Sequence, residues 1–366
     1  MITVFGCKTD EAEINAVSSS IKAGWMGMGE KVKEFENKFS SHINADFLML
    51  DSGSNALLMA VKLLDLPPGS DIILPSFTWV ACAHSILLNG HNPVFADVEL
   101  ETQNISVGTI EKSMTPNTKA VMVVHYAGKP VDMGNITGLA LPVIEDAAHA
   151  VDSSIDERKC GTIGDIGIYS FDSVKNLATP EGGGITCRKG IEKAKYLRYC
   201  GIGKSGLQNT TLKEHWWEYD IKDVFPKTLP NDVSAGVGLV QLEKLKVHQA
   251  LRKKIWTTYQ EELELSWIHN PVNVAGNETH SWFTYFIRVG KGKRDQLAKY
   301  LLKNNIYTTL RYHPLHLNKI YRSDKRLKNC EILNEEGLNL PIHPNLTTRD
   351  IDYIIEKIKG FGKNNC

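Results

Sequence analysis

Hydrophobic and polar positions fall into two kinds of run along this chain, and the switches between them mark its elements. Residues 10–23 and 30–42 read as two amphipathic helices. The glycine-rich turn Gly24–Gly29 separates them and carries a large indole at Trp25. From about residue 47 the pattern changes to short β-rich runs followed by helical runs, each punctuated by Gly, Pro, Ser or Asp. Phe47–Leu50 reads as a strand and Asn55–Leu64 as a helix. Asp71–Leu74 is a strand, and Val80–Leu88 a helix closed by Gly90. Pro93–Ala96, Ala120–His125 and Leu141–Glu145 are further strands. Their apolar stretches are continuous rather than alternating, as suits strands covered on both faces. Ile166–Phe171 and Gly184–Cys187 follow with no long helix between them and should form a hairpin-like pair.

Asp232–Leu263 reads as one long helix leading out of this α/β region into a smaller one. There Trp282–Val289 and Ile306–Leu310 are expected strands, Gly292–Lys303 and Thr348–Lys359 expected helices, and Lys363–Cys366 a frayed end. The expected fold class is therefore α/β. A large domain over residues 1–245 holds a mostly parallel sheet flanked by helices, and a smaller C-terminal α/β domain covers 246–366. No internal repeat or low-complexity segment interrupts this order.

Composition narrows the function. Lys plus Arg and Asp plus Glu both number 42, so the formal net charge is zero. Neither nucleic acid nor an anionic membrane would be gathered by such a chain. The cluster Lys291, Lys293 and Arg294 reads as a solvated loop. The seven cysteines at 7, 82, 160, 187, 200, 330 and 366 are odd in number and form no C-x-x-C pair, which speaks against a disulfide framework or a structural zinc site. The first residues lack a signal-peptide pattern, and no apolar run approaches the roughly 20 residues that span a bilayer. A cytoplasmic protein without a metal site is the expectation.

Four segments at expected strand ends carry chemistry, where open α/β sheets bind ligands. Asp51–Asn55 contains Gly53 and Ser54 at a helix start, whose N–H groups favour a phosphate; a serine N-cap without a ligand would look the same. Trp79, in Pro75–Trp79, could stack on a flat heteroaromatic ring or simply belong to the core. Val143–His149 delivers Glu145, Asp146 and His149 at a strand exit. A carboxylate there can pair with a cationic ring nitrogen, although a capping Asp and a core His are equally familiar. Finally Ser170 to Lys175, followed by Glu181 and Gly182–Gly184, places a lysine between a buried strand and a glycine turn. Burial and nearby cations depress a lysine pKa, as a covalently bound cofactor requires. The other reading is a surface lysine beside a turn.

Taken in order, these segments resemble the DegT/DnrJ/EryC1/StrS family of sugar aminotransferases. The likeness runs from Gly24-Trp25 and Val32–Glu36 through Ser52–Ser54, Pro75–Trp79, Pro93–Asp97 and Val124–Gly128. It continues in Glu145–Ala150, Gly164-Asp165, Ser170–Lys175, Glu181–Gly183, Val240–Leu245, Tyr312–His316 and Leu340–Pro344. The resemblance implies an aspartate-aminotransferase-like, fold type I architecture with pyridoxal 5'-phosphate as cofactor. It implies that Lys175 joins the cofactor and later shuttles a proton, and that Asp146 pairs with the ring nitrogen. Trp79 and His149 would line the ring, many members having Gln at the latter position, while Gly53, Ser54 and Ser170 hold the phosphate. It further implies a homodimer with active sites at the subunit interface. The substrates would be glutamate and a nucleotide-linked ketosugar, most commonly a dTDP-4-keto-6-deoxyhexose, used for amino sugars such as those of lipopolysaccharide O-antigen. Amination at C3, a cyclitol acceptor, or a non-catalytic regulator are the alternatives. Relatives that remove a sugar hydroxyl have His in place of the lysine, which Lys175 argues against. A plain nucleotide-binding protein lacks its G-x-G-x-x-G or Walker loop here.

Two departures stand out. Where many members carry a Tyr-Asn-Tyr-Arg stretch that reaches the partner's phosphate, this chain reads Phe225–Asn231, with Lys227 at the Asn position and Asn231 as a fallback. Arg311 replaces a common His before Tyr312. The sugar-facing positions are expected among Trp25, Met26, the 202–220 stretch, Arg311 and His313.

Overall fold

The computed structural model describes residues 1–204, 218–290 and 292–365. Asp10 starts α1 (Glu11–Lys22) with a reciprocal cap: its carboxylate accepts the Ala12 N–H at 2.9 Å, and Glu13 accepts the Asp10 N–H at 2.9 Å. Helix α2 (Glu30–Ile43) has no side-chain cap of its own. Asp232, two hundred residues on, accepts the N–H groups of Gly29 and Val32 at 2.9 and 3.1 Å and does that work.

The central sheet has seven strands: β1 (Phe47–Leu50), β2 (Asp71–Pro75), β3 (Asn92–Ala96), β4 (Thr118–Val124), β5 (Val143–Asp146) and, after a short hairpin of β6 (Ser154–Ile155) and β7 (Arg158–Lys159), β8 (Ile166–Ser170) and β9 (Gly183–Cys187). Their order is β1-β9-β8-β5-β4-β2-β3. Only β9 runs against the rest, pairing antiparallel with both β8 and β1. The continuous apolar runs are explained by burial on both faces. In β4, Ala120, Met122 and Val124 join one core cluster, while Val121 and Val123 join another across the sheet.

Connecting helices are α3 (Gly53–Leu63), α4 (Val80–Leu88), α5 (Val107–Glu111), α6 (Met133–Thr137) and α7 (Ile191–Leu197), followed by the long α8 (Asp232–Glu262). Strands β10 (Ile202–Lys204) and β11 (Asp220–Ile221) pair at the edge of this lobe. Beyond them a second layer is built from β12 (Ile268–His269), β14 (Tyr285–Val289) and β15 (Gly337–Leu340), with β13 (Glu278–Thr279) pairing back to β6. Helices α9 (Arg294–Lys303), α10 (Lys328–Glu336) and α11 (Thr348–Asn365) complete it. Its core, with Trp256, Tyr285, Leu297, Leu340 and Ile354, forms its own cluster, while Phe286 of β14 and Cys330 and Leu333 of α10 join the core of the large sheet. Among the described residues no helix is long and apolar enough to cross a membrane.

The main strands and long helices lie within a few residues of the sequence expectation, with informative exceptions. Ile306–Leu310 forms no strand; it makes isolated bridges, Ile306 to Ile2 and Thr309 to Asn339. The strand expected from Trp282 starts only at Tyr285, because Trp282 has a left-handed backbone with φ 45°. Helix α11 continues to Asn365 where fraying was expected; Cys366 lies outside the described residues. The 291–294 segment is not simply a solvated loop. Lys291 lies outside the described residues, but Arg294 opens α9 and donates to the Gly337 and Asn334 carbonyls, both at 2.9 Å. Helices α5, α6 and α7 were missed because each is too short for a helical period to be counted in a window of about 11–18 residues, and the nine-residue α10 because it lacks the apolar run of the equally short α4.

Candidate active site

Strands β1, β2, β5 and β8 run parallel, so their C-terminal ends open on one edge of the sheet. A cavity of about 520 Å³ lies there, lined among others by Gly53, Trp79, Asp146, His149, Lys175 and Arg311.

One wall is the start of α3. Ser52 Oγ accepts the Asn55 N–H at 3.2 Å, and the Asn55 amide donates to Asp51 at 2.9 Å, which fixes the turn. Gly53 and Ser54 thereby begin the helix at the cavity wall, where the N-terminal end of a helix favours an anion. A side chain at Gly53 is excluded: a Cβ there would lie 2.7 Å from Ser170 Cβ. The small residues form a cradle over the end of β8.

Alternation along β5 sorts its two acids. Glu145 is fully buried behind the sheet edge and accepts from Gly161 N–H at 2.9 Å, Ile163 N–H at 2.6 Å and Gly164 N–H, with His125 Nε2 at 2.9 Å. The Val131 N–H donates to His125 Nδ1 at 3.0 Å, so the ring presents Nε2–H to the carboxylate. Burial pushes the Glu145 carboxyl up, but these bonds outweigh it and hold it below the usual range. Asp146 points the other way, into the cavity. Its Oδ1 accepts the Ala148 N–H at 2.9 Å and its Oδ2 the Cys82 thiol at 3.2 Å.

Lys175 is held by a turn after β8, its N–H donating to the Asp172 carbonyl at 2.8 Å. The side chain is buried and its Nζ sits 4.9 Å from the centre of the Phe283 ring. Burial, then the Arg311 cation, lower its pKa to about 8, against the opposing pull of Asp146 and Asp172. His149 stacks on the same Phe283 ring at 4.0 Å and 21°, and its Nε2 meets the Tyr312 hydroxyl at 3.1 Å. Its Nδ1 is buried with no hydrogen-bond partner among the described residues. Burial, Lys175 and Arg311 together hold its pKa well below the ordinary histidine value, so the ring is neutral. Trp79, the N-cap of α4, is half exposed at the mouth, 5.7 Å from the Tyr312 ring. Arg311 lies over Phe5 at 4.1 Å and forms no ion pair with any carboxylate among the described residues.

The structure thus gathers Gly53, Ser54, Trp79, Asp146, His149, Ser170, Lys175 and Arg311 around one cavity. Five expected residues lie elsewhere in the protomer, Trp25, Met26, His313, Lys227 and the fallback Asn231. Trp25 is 63% exposed and donates its indole N–H to the Met28 carbonyl at 3.0 Å; neighbouring Met26 is exposed too. His313 is exposed, with Nδ1 2.9 Å from the Asn334 side chain. Lys227 is exposed and bridges to Tyr199 through its backbone. The fallback Asn231 is committed to capping α8, accepting the Ser234 N–H at 2.8 Å. Of the 202–220 stretch, residues 205–217 lie outside the described residues. Phe5, Cys82 and Phe283, which touch Arg311, Asp146 and Lys175, were missed: an apolar residue beside a site gives the same sequence signal as one elsewhere in a helix, a strand or a terminal segment.

A ring-and-phosphate cofactor fits this donor set. A helix start at Gly53 and Ser54 beside the Ser170 hydroxyl suits a phosphate, His149 keeps a buried ring nitrogen without a partner among the described residues, and an amine and a carboxylate border the same space.

The sequence model of the DegT/DnrJ/EryC1/StrS aminotransferase family matches residues 7–359. A dTDP-4-dehydro-2,3,6-trideoxy-D-glucose 4-aminotransferase from Saccharopolyspora spinosa is 34% identical over 361 residues, 95% of this chain and 93% of that one. Among solved structures, the aminotransferase TlmJ from Streptoalloteichus hindustanus superposes with a TM-score of 0.94 at 32% identity, covering 100% of both chains. The Streptococcus pneumoniae sugar aminotransferase Spr1654 is similar in its PMP-form, with a TM-score of 0.93, 27% identity and 100% of both chains covered. Its PLP-form gives 0.90 at 26%, covering 99% of this chain and 98% of that one.

Proposed function

The chain belongs to the DegT/DnrJ/EryC1/StrS aminotransferase family, and from that premise we propose that it moves the amino group of glutamate onto a nucleotide-linked ketosugar, a dTDP-4-keto-6-deoxyhexose. It is a transaminase and its cofactor is pyridoxal phosphate. Bound in this pocket, the cofactor supplies an aldehyde to carry the amino group and a ring that accepts electrons. Lys175 is the amine that would hold the aldehyde, and its Nζ, when free, would serve as the base that takes the proton from the donor's α-carbon and returns it. A pKa near 8 suits that exchange, because the amine is partly neutral at physiological pH. Asp146 would keep the ring nitrogen protonated. Gly53, Ser54 and Ser170 would hold the phosphate, His149 and Trp79 would line the ring, and Arg311 would offer its charge to a substrate carboxylate.

The observation that carries this reading is the meeting of Lys175 and Asp146, from different strand ends, on one cavity. The proposal extends to a homodimer in which Lys227 reaches the partner's phosphate and Trp25 and His313 contact substrate. It extends also to the division between a cofactor domain, 1–245, and a C-terminal domain, 246–366, supported by the second layer's own core cluster. The free cysteines suit a reducing cytoplasm.

Replacing Lys175 by Ala tests the reading. The variant should keep the fold but lose the visible absorbance of the loaded protein and all turnover; transamination at the normal rate would overturn it. Assaying a panel of nucleotide-linked ketosugars with glutamate then fixes the acceptor.

A further inference from the structure

The pocket's carboxylate has a partner that no step above uses. Cys82 lies in the first turn of α4, fully buried, and donates its thiol to Asp146 Oδ2 at 3.2 Å. Thr78 Oγ1, from the loop ahead of that helix, sits 3.3 Å from the same sulfur. The other carboxylate oxygen takes the Ala148 N–H at 2.9 Å. Asp146 is therefore aimed from two sides, by a backbone N–H and by a thiol.

The choice of donor has a chemical consequence. A thiol is a weak hydrogen-bond donor, whereas a hydroxyl bonded to a carboxylate forms a short, charge-assisted bond. The first orients the oxygen while leaving its charge nearly whole; the second draws that charge toward itself. Burial, then the Asp146 charge, push the Cys82 thiol well above its usual pKa, so it keeps its proton and remains a donor.

We propose that Cys82 is a positioning residue for the reaction: it aims the Asp146 carboxylate at the cofactor's ring nitrogen while conserving the negative charge that keeps that nitrogen protonated. The inference rests on the reading of Asp146 given above. It assigns Cys82 no contact with substrate.

Cys82→Ala and Cys82→Ser separate aim from charge. Two quantities are read on each purified protein: the dissociation constant for pyridoxal phosphate, from titration of the apo-protein followed by visible absorbance, and the single-turnover rate with glutamate. Cys82→Ala frees Oδ2 and should raise the dissociation constant about fivefold and slow the half-reaction about tenfold, with the KM for glutamate unchanged. Cys82→Ser keeps a donor and should hold the dissociation constant within about twofold yet slow the half-reaction several-fold, since the stronger bond draws on the charge. A purely structural cysteine would lower Tm in both variants and leave both quantities alone. If both variants bind and react within twofold of the parent, or if Ser behaves as Ala does, the inference is overturned. If Cys82→Ala does not fold, the Ser variant decides by the same twofold limit on its half-reaction rate. The parent protein is the control: failure of the parent to take up the cofactor sinks the pocket's reading as a whole, whereas normal uptake with indifferent variants sinks only the role of Cys82.

Discussion

Lys175 and Arg311 converge on one aromatic ring: Lys175 Nζ lies 4.9 Å and Arg311 Cζ 5.6 Å from the centre of Phe283. Two cations share a hydrophobic platform, and the permanent charge of one weakens the proton affinity of the other.

Cofactor capture should report this coupling. The amine reacts with an aldehyde only when neutral, so capture by the apo-protein should quicken with pH up to about 8 and level off above it. Arg311→Gln removes a charge that lowers the Lys175 pKa, and the profile should move to higher pH. The same variant should raise the KM for glutamate about tenfold, equivalent to ~1.4 kcal/mol, through loss of a carboxylate partner. Stopped-flow absorbance and steady-state assays check the two arms, and an unmoved profile would refute the coupling.

Gly53→Ala probes the phosphate cradle. The new methyl would meet Ser170 Cβ at 2.7 Å, so α3 or β8 must shift, and Gly53 is also packed closely against Gly183, where a Cβ would lie 2.4 Å from Gly53 N. Overpacking of this kind costs about 1–3 kcal/mol. Pushing α3 away from Ser170 should weaken cofactor binding at least roughly tenfold, read by absorbance titration, while Ser54→Ala, which keeps the backbone N–H groups, should change it far less.

Glu145→Ala should be costly to the fold. It strands a buried imidazole and backbone N–H groups at Gly161, Ile163 and Gly164, and removing one partner of such a network costs about 3–5 kcal/mol. Thermal unfolding should show Tm lowered by several degrees. Since the folded-state pKa of Glu145 lies below its ordinary 4.5, its contribution is present above that pH and is lost as pH falls through the folded value. Glu145→Gln should accordingly flatten the acid side of the stability profile, an effect visible in denaturant titrations at a series of pH values.

Much of this site was legible in the sequence because its residues sit where strands end. A continuous apolar run followed by a small polar turn locates the sheet edge, and Gly53, Asp146, Ser170 and Lys175 each lie within a few residues of such a switch. The adjacent acids Glu145 and Asp146 could not be told apart by pattern alone, since β5 is buried on both faces; only the register of the strand sends one into the cavity and the other toward His125. Residues that act by covering, such as Phe283 and Phe5, carry no local mark, because an apolar residue in a core and one beneath a ligand look alike. Lys227, Trp25 and His313 were chosen for their place in a pattern, and a single protomer leaves all of them exposed.

The seat of Arg311 on Phe5 ties a cavity residue from the last third of the chain to the N-terminal segment. During synthesis the segment that carries Lys175 leaves the ribosome well before Arg311 does, and only then can Phe5 receive its guanidinium. The setting of the Lys175 amine is thus completed late in synthesis, and changes near residue 5 should reach it through the guanidinium.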